Sequence, residues 1–429
     1  MGPPLKTSLW VGICLCPLFA PCTHAEFIAD SKAEITLRNF YFDRDYKKDP
    51  YPYTAARDWA QGLIFKGQSG YTEGTVGLGV DVLAMAGFNL LGHHADDYAR
   101  SGLLQVNSDN TRDDYYGKIG VTAKAKYRQN ELFVGDVVPL LPTIFSSPAR
   151  LFPQTYRGVR FLSAEIPNLQ LEGFYVDEVR QRDSTRYTDV GIDNINHRFD
   201  KAATTDHFYS IGGAYQFKNY RVRAYQAELQ NIYQQQFFGF NGKQALNDQL
   251  NFLSDVRFFN SEDTGSRKVG NVDNQHLSGL FGLNYQNHTV SLGYMQAFGS
   301  TGLPFLSGTE SPVVLDFMSS DYSNKDEKVY SIRYEYDFKD ARIGDVSLNG
   351  LRFMTRYAKG EDIDLLSYGD QRFKEDSLEF DLGYRIPEGK LKGLGLRARF
   401  SHYRNDMPTN MVFHSTNETR LNVDYTFKF

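Results

Sequence analysis

The end of the chain alternates strictly, with Leu421, Val423, Tyr425, Phe427 and Phe429 set against Arg420, Asn422, Asp424, Thr426 and Lys428. A period of two puts these sets on opposite faces of one β-strand. The pattern returns upstream. Ile119, Val121, Ala123, Ala125 and Tyr127 oppose Lys118, Thr122, Lys124, Lys126 and Arg128, and Tyr330, Ile332, Tyr334, Tyr336 and Phe338 oppose Ser331, Arg333, Glu335 and Asp337. Leu351, Phe353 and Tyr357 oppose Arg352 and Arg356, while Leu394, Leu396, Ala398 and Phe400 oppose Arg397 and Arg399. Each time one face suits hydrocarbon and the other water. A soluble sandwich would place more apolar residues in its single core and fewer long charged strands around it.

The alternation predicts strands near 32-42, 58-67, 74-87, 115-128, 130-136, 157-165, 169-180, 206-217, 220-229, 231-240, 249-259, 275-285, 288-298, 328-338, 345-357, 377-386, 394-404 and 418-429. Long and short connections alternate between them. Short ones include Gln129, Ile166-Pro167-Asn168, Lys218-Asn219 and Gln286-Asn287; long ones include 88-114, 181-205, 299-327, 358-376 and 405-417. The exception is the connection near Gln230. An even strand count leaves both termini on the periplasmic side, and closure removes any unpaired edge from lipid. The predicted fold is all-β: a transmembrane antiparallel β-barrel of about eighteen strands over residues 26-429, in a bacterial outer membrane.

Residues 1-25 read as a signal peptide: Lys6 precedes an apolar run from Leu9 to Ala20, and Thr23-His24-Ala25 offers a small residue before Glu26. A lipoprotein reading through Cys22 is disfavoured by Pro21, which stands where a small residue is expected. Cys14, Cys16 and Cys22 all lie within that leader, so the remaining chain offers no disulfide, thiolate metal site or cysteine nucleophile. The formal net charge of −5 argues against nucleic-acid binding. A hydropathy of −0.47 without a long apolar run excludes a helical membrane protein but suits a barrel, whose strands are polar on one side.

Four motifs, in order, give the chain a family resemblance. They are Leu37-Arg38-Asn39-Phe40-Tyr41-Phe42 with Arg44-Asp45, Asp58-Trp59-Ala60-Gln61-Gly62, Gly135-Asp136-Val137-Val138-Pro139, and Ala149-Arg150-Leu151-Phe152-Pro153-Gln154-Thr155-Tyr156-Arg157-Gly158. Across essentially the whole mature chain the sequence resembles the substrate-specific outer-membrane porins of the porin D (OprD) type of Gram-negative bacteria. The resemblance implies an eighteen-stranded channel, monomeric or weakly homo-oligomeric, whose third external loop folds into the lumen as a constriction and narrows it together with the seventh. Residues 137 to 156 would be the third loop and Gly299 to Ser311 the candidate seventh. Pro139, Pro142, Pro148 and Pro153 break strand pairing there. Leu140, Leu141, Ile144, Phe145, Leu151 and Phe152 need cover that the barrel wall can supply. The constriction residues singled out are Pro139, Pro142, Ser146, Ser147, Arg150, Phe152, Ser300 and Thr301.

The water-facing set on the strands is basic: Arg38, Lys124, Lys126, Arg128, Arg160, Arg333, Arg352, Arg356, Arg397 and Arg399. Family members use such a row as a ladder for carboxylate-bearing solutes. Charges of one sign in a low-dielectric tube raise the local anion concentration, and arginine can hold a carboxylate bidentately. The opposing reading is that these cations merely solvate a wide pore or pair with Glu335, Asp337, Glu379 or Asp381. The expected function is passive, selective diffusion of small carboxylate solutes, either amino acids or aromatic and cyclic acids, without a cofactor or metal. The expected partners are outer-membrane lipid and lipopolysaccharide, and the barrel-assembly machinery through the terminal Phe429. The alternatives are a nonspecific general porin or a serine-peptidase-type barrel enzyme using Ser300, Asp206 and His207 or His94. No Gly-x-Ser-x-Gly surrounds Ser300. A siderophore-type transporter would need a plug domain ahead of the first strand, which starts close behind the predicted cleavage point.

Overall fold

The computed structural model describes residues 24–47, 53–315 and 317–429. The predicted leader lies outside the described residues except for its last two, which begin a short helix, His24–Ala29. Eighteen long strands follow, each antiparallel to the next. They are β1 Lys32–Tyr46, β2 Ala55–Gln68, β3 Gly77–Asn89, β4 Tyr115–Tyr127, β5 Asn130–Val137, β6 Thr155–Ser163, β7 Leu169–Arg180, β8 Phe208–Phe217 and β9 Tyr220–Leu229. The circle continues with β10 Tyr233–Ala245, β11 Leu250–Asp263, β12 Asp273–Tyr285, β13 His288–Gly299, β14 Lys328–Asp337, β15 Leu351–Asp364, β16 Arg372–Arg385, β17 Gly395–Asn405 and β18 Thr416–Lys428. It closes where β1 pairs with β18, from Glu34 opposite Lys428 to Tyr46 opposite Thr416. Closure means that every strand has a neighbour on both sides over at least part of its length, which satisfies most of the wall's backbone.

The period of two is visible in exposure: on β4, Ile119 is 66% and Val121 52% exposed, whereas Lys118 and Thr122 are 4% and 7%. The apolar side is therefore the outer one. At one end the connections are tight, with Arg128, Lys218 and Gln286 opening two-residue turns at φ of 53°, 52° and 51°. At the other end lie the long loops 90–114, 138–154, 181–207 and 300–327. Loop 181–207 carries two short strands, Thr188–Ile192 and Ala203–Thr205, the first of which pairs with the end of β7.

Several expected boundaries move. The strand expected at 345–357 begins instead at Leu351 and runs to Asp364, and the long loop expected at 358–376 shrinks to 365–371. At Lys359-Gly360-Glu361-Asp362 the inner face is a buried glycine set against Glu327, Glu375 and Tyr322 and the outer face is polar, so the sequence shows no apolar alternation although Lys359 and Gly360 are paired. A register shift between Gly360 and Ile363, with Asp362 at φ 63°, blurs the pattern further. β10 likewise extends to Ala245, past the expected 240. Val346 and Ser347, expected to open a wall strand, pair instead with Arg342–Ile343 in the turn between β14 and β15.

The long loops fill the interior because they carry the apolar residues that the inner wall matches. Leu103 and Leu104 from loop 90–114 and Leu151 and Phe152 from loop 138–154 pack on Phe40, Phe42, Ala60, Ile64, Met85 and Tyr116. A second cluster joins Leu141 and Ile144, Val190, Ile192 and Phe199, and Leu303, Leu306, Val313, Leu315 and Tyr322 to wall residues such as Phe208, Phe237 and Phe259. Gly135 turns the chain toward the inside. Its φ is 134°, and a Cβ there would stand 2.1 Å from the Val121 carbonyl oxygen. β5 is consequently short, and β4 pairs with it only from Thr122 to Tyr127.

Candidate functional site

Loop 138–154 is held to the inner wall at several points. Leu140–Leu141 pairs with Ile144–Phe145 in a small hairpin turning at Pro142-Thr143, and Thr143 Oγ1 meets Ser210 Oγ of β8 at 2.7 Å. The Ser146 amide donates to the Pro139 carbonyl at 2.9 Å, while Ser147 Oγ donates to Glu310 Oε1 of loop 300–327 at 2.5 Å. Leu151 and Phe152 sit where Gly62 and Gly87 leave room for them: a Cβ at either glycine would come within about 3 Å of both side chains. Of the apolar residues expected to need cover, Leu141, Ile144, Leu151 and Phe152 are buried, Phe145 is half-buried and Leu140 is exposed.

Loop 300–327 crosses the interior. On one side Arg257 donates to the carbonyls of Pro312 and Val313 at 2.8 Å, and Gln235 to that of Pro304 at 3.0 Å. On the other side the Met318 amide donates to Glu379 at 2.9 Å and Arg420 to the Met318 carbonyl at 2.8 Å. The part that crosses extends beyond the expected 299–311, and its first residues do not reach the middle. Ser300 bonds to Asp273 and Asn271, and Thr301 to the backbone of Asp273, so both secure the loop to the rim.

The structure divides the expected basic row. Lys124 is covered: it pairs with Asp81 at 2.6 Å, donates to the Ser69 carbonyl at 2.7 Å and lies 4.9 Å from the Tyr71 ring. Arg356 is buried against Glu379 and lies 4.1 Å from the Phe317 ring. Arg128 is not on a strand at all but in the turn after β4. Its place at the end of a regular alternation made it look like a continuation of the strand. Lys126, Arg160, Arg333, Arg352 and Arg397 reach the solvated side, and each has a carboxylate partner: Glu131 at 3.9 Å, Glu172 at 2.7 Å, Glu335 at 2.5 Å, Asp337 at 3.4 Å and Asp381 at 2.9 Å respectively.

The densest basic group surrounds Phe42. The guanidiniums of Arg44, Arg150 and Arg420 lie 5.4, 5.1 and 5.5 Å from its ring, and Arg38 Nη1 donates to the carbonyls of Arg150 and Leu151 at 3.2 Å. Arg399 is directly opposite Arg420 in the β17–β18 register. Arg38 pairs with Asp424 at 2.7 Å, and Arg44 and Arg420 share Glu418. Arg150 instead bonds to the carbonyls of Ser101 and Ala149, and Arg399 to the Asn422 side-chain oxygen at 3.3 Å. Among the described residues, these five guanidiniums have ion-pair partners in two carboxylates, Asp424 and Glu418, while Asp381 stands opposite Arg399 in the β16–β17 register but pairs with Arg397. Arg44 and Arg420 were missed in the sequence. Arg420 stood in plain view on the polar face of the terminal strand, whereas Arg44 lies beyond the expected end of β1.

Glu327 and Tyr187, which lie outside the spanning strands, have shifted acidities. Burial, and then the charge of Glu375, push the Glu327 carboxyl well above the usual carboxylate range. Its Oε2 accepts from the Asn324 amide at 3.0 Å and from the Asn324 side chain at 2.9 Å. Burial followed by a hydrogen bond to Asp136 pushes the Tyr187 hydroxyl up to about 12.

The profile of a family described as "outer membrane porin, OprD family" matches residues 25–429. The chain belongs to the OprD family of outer membrane porins. This porin is similar to the porin-like protein GalP of Pseudomonas putida, with 31% identity over 93% of this chain and 92% of the relative. Its fold superposes on the crystal structure of Acinetobacter baumannii OccAB3 with a TM-score of 0.93 and 89% identity, covering 94% of this chain and 100% of that one. Pseudomonas aeruginosa OpdK, solved with vanillate, superposes with a TM-score of 0.84 and 29% identity, covering 94% and 100%. The porin is accordingly an integral outer-membrane β-barrel channel and not an enzyme. The peptidase candidates have other partners: Ser300 Oγ meets Asp273 and Asn271, and His207 stacks on Tyr175 with ring centroids 5.2 Å apart.

Proposed function

We propose that this porin passes small carboxylate-bearing solutes by passive, selective diffusion between loop 138–154 and the arginines of β1, β17 and β18. The observation that supports this most is the cation surplus around Phe42, with Arg150 and Arg399 spending their hydrogen bonds on neutral oxygens. A guanidinium without a carboxylate partner can offer its fork to a passing one. OpdK, solved with vanillate, supports the same solute class. Loop 138–154, held inside by Leu151 and Phe152, is the element that narrows the path.

A second reading, a general porin with little preference, is favoured by the carboxylate partners found beside most of the expected row. Ion current across a planar bilayer separates the two. Selective binding predicts stepwise conductance interrupted by added benzoate or arginine, and removal of the interruptions by Arg150→Ala or Arg399→Ala. Steps that neither solute interrupts would leave the general porin.

A further inference from the structure

We propose that Lys118 is a positioning residue: its ammonium clamps the end of loop 138–154 to the start of loop 181–207 and thereby fixes the aperture at Arg150. The inference rests on the reading that loop 138–154 narrows the path.

Lys118 projects inward from β4 and is 4% exposed. Its Nζ donates to the carbonyls of Pro153 at 3.0 Å, Gln181 at 3.0 Å and Arg182 at 3.4 Å. These three acceptors match the three donors of an ammonium, and no carboxylate lies within ion-pair distance of it among the described residues. A cation placed merely to line a pore would face water, because burying an ammonium is costly unless its donors are satisfied. Here the charge is spent on backbone oxygens of two separate loops.

The junction extends to loop 300–327. Gln154 donates to Gln181 Oε1 at 2.7 Å and to the Ser307 carbonyl at 3.0 Å, and Arg182 donates to the Gly308 carbonyl at 2.9 Å. Arg150 stands three residues before Pro153, and Arg38 holds the carbonyls of Arg150 and Leu151. Lys118 thus supplies the far fixed point of the segment that presents Arg150. A longer planar guanidinium would not fit three oxygens converging on one point.

The test is single-channel recording of Lys118→Met and Lys118→Cys beside the native chain. The cysteine variant, purified from outer membranes, is alkylated in denaturant with 2-bromoethylamine or with 1-bromopropane and refolded into detergent. The first reagent rebuilds a lysine-like ammonium, and the second leaves a neutral chain of similar length. The expected result is that the Met and propyl forms visit subconductance levels at least about tenfold more often, the change that about 1.4 kcal/mol brings. The aminoethyl form should return to the native record. Should Lys118→Met not fold, the two alkylated forms alone decide. Equal records from these two forms, or a quiet native-like Met variant, would overturn the clamp. Substate frequency is read in plain salt, so absence of solute interruption in the native chain would remove the proposed selectivity without deciding the clamp.

Discussion

Arg397 and Arg399 differ in sequence position by a single turn of the pleat, yet the structure gives them unequal prospects. Arg397 is bonded to Asp381, so removing it leaves a negative charge on the path; Arg399 bonds to the neutral side chain of Asn422 and, among the described residues, has no carboxylate within ion-pair distance. Uptake of a carboxylate solute should fall in both variants, and uptake of a neutral one should stay level in Arg399→Ala. Equal losses for both solutes, measured by liposome swelling, would count against recognition of the carboxylate. Glu327 offers a different test. A carboxyl whose pKa is raised on folding costs increasing stability as pH climbs from the ordinary range through the raised value. Glu327→Gln should therefore raise the melting temperature of the barrel at about pH 8 and lose that advantage near about pH 4. An identical shift at both pH values, followed by circular dichroism, would mean that Glu327 is not the titrating group. The alternation identified which side chains face inward, but not their fate there. Lys124 and Lys126 obey the same pattern and both lie beside the Tyr71 ring, and it is Asp81 of β3 and the Ser69 carbonyl in the turn before it that hold Lys124 covered.

At the scale of elements, loop 138–154 stays inside because of two side chains seated over glycines. Truncating a buried phenylalanine typically costs about 3–5 kcal/mol. The loop is a local unit, so Phe152→Ala should release it from the wall while the strands persist. Single-channel conductance should then rise with the far-ultraviolet spectrum unchanged. If conductance does not rise in the folded variant, this loop does not set the narrowest point. The strands were legible in the sequence wherever hydrocarbon and water lay on opposite faces, as in β4 and β18. They were illegible at Lys359–Asp362, where a glycine faces the buried Glu327 and Glu375 inside and polar residues face outward, because neither face there is apolar enough to impose a period. The inward course of loop 138–154 could be anticipated from its prolines and leucines. That of loop 300–327 past Ser311 could not, since its contacts with Glu379, Ser401 and Arg420 come from distant strands.

For the whole molecule, selectivity by a surplus of charge should weaken with salt. The screening length is about 10 Å at 0.1 M and about 3 Å at 1 M. Interruption of the current by benzoate should therefore fade between those concentrations, whereas a purely steric fit would be insensitive to the change. The fold also has an asymmetry in its wall. Where Gly135 turns β5 inward, the half of β4 from Tyr115 to Val121 has no strand beside it on that side, and the Arg180 guanidinium reaches across to the Ile119 carbonyl at 3.1 Å. Amide protons that are paired in the ladders between neighbouring strands, such as those of β4 facing β3, should resist deuterium. Those along Tyr115–Val121 that face the departed strand should exchange first. Under tension or heat, the cylinder should begin to unzip along that line.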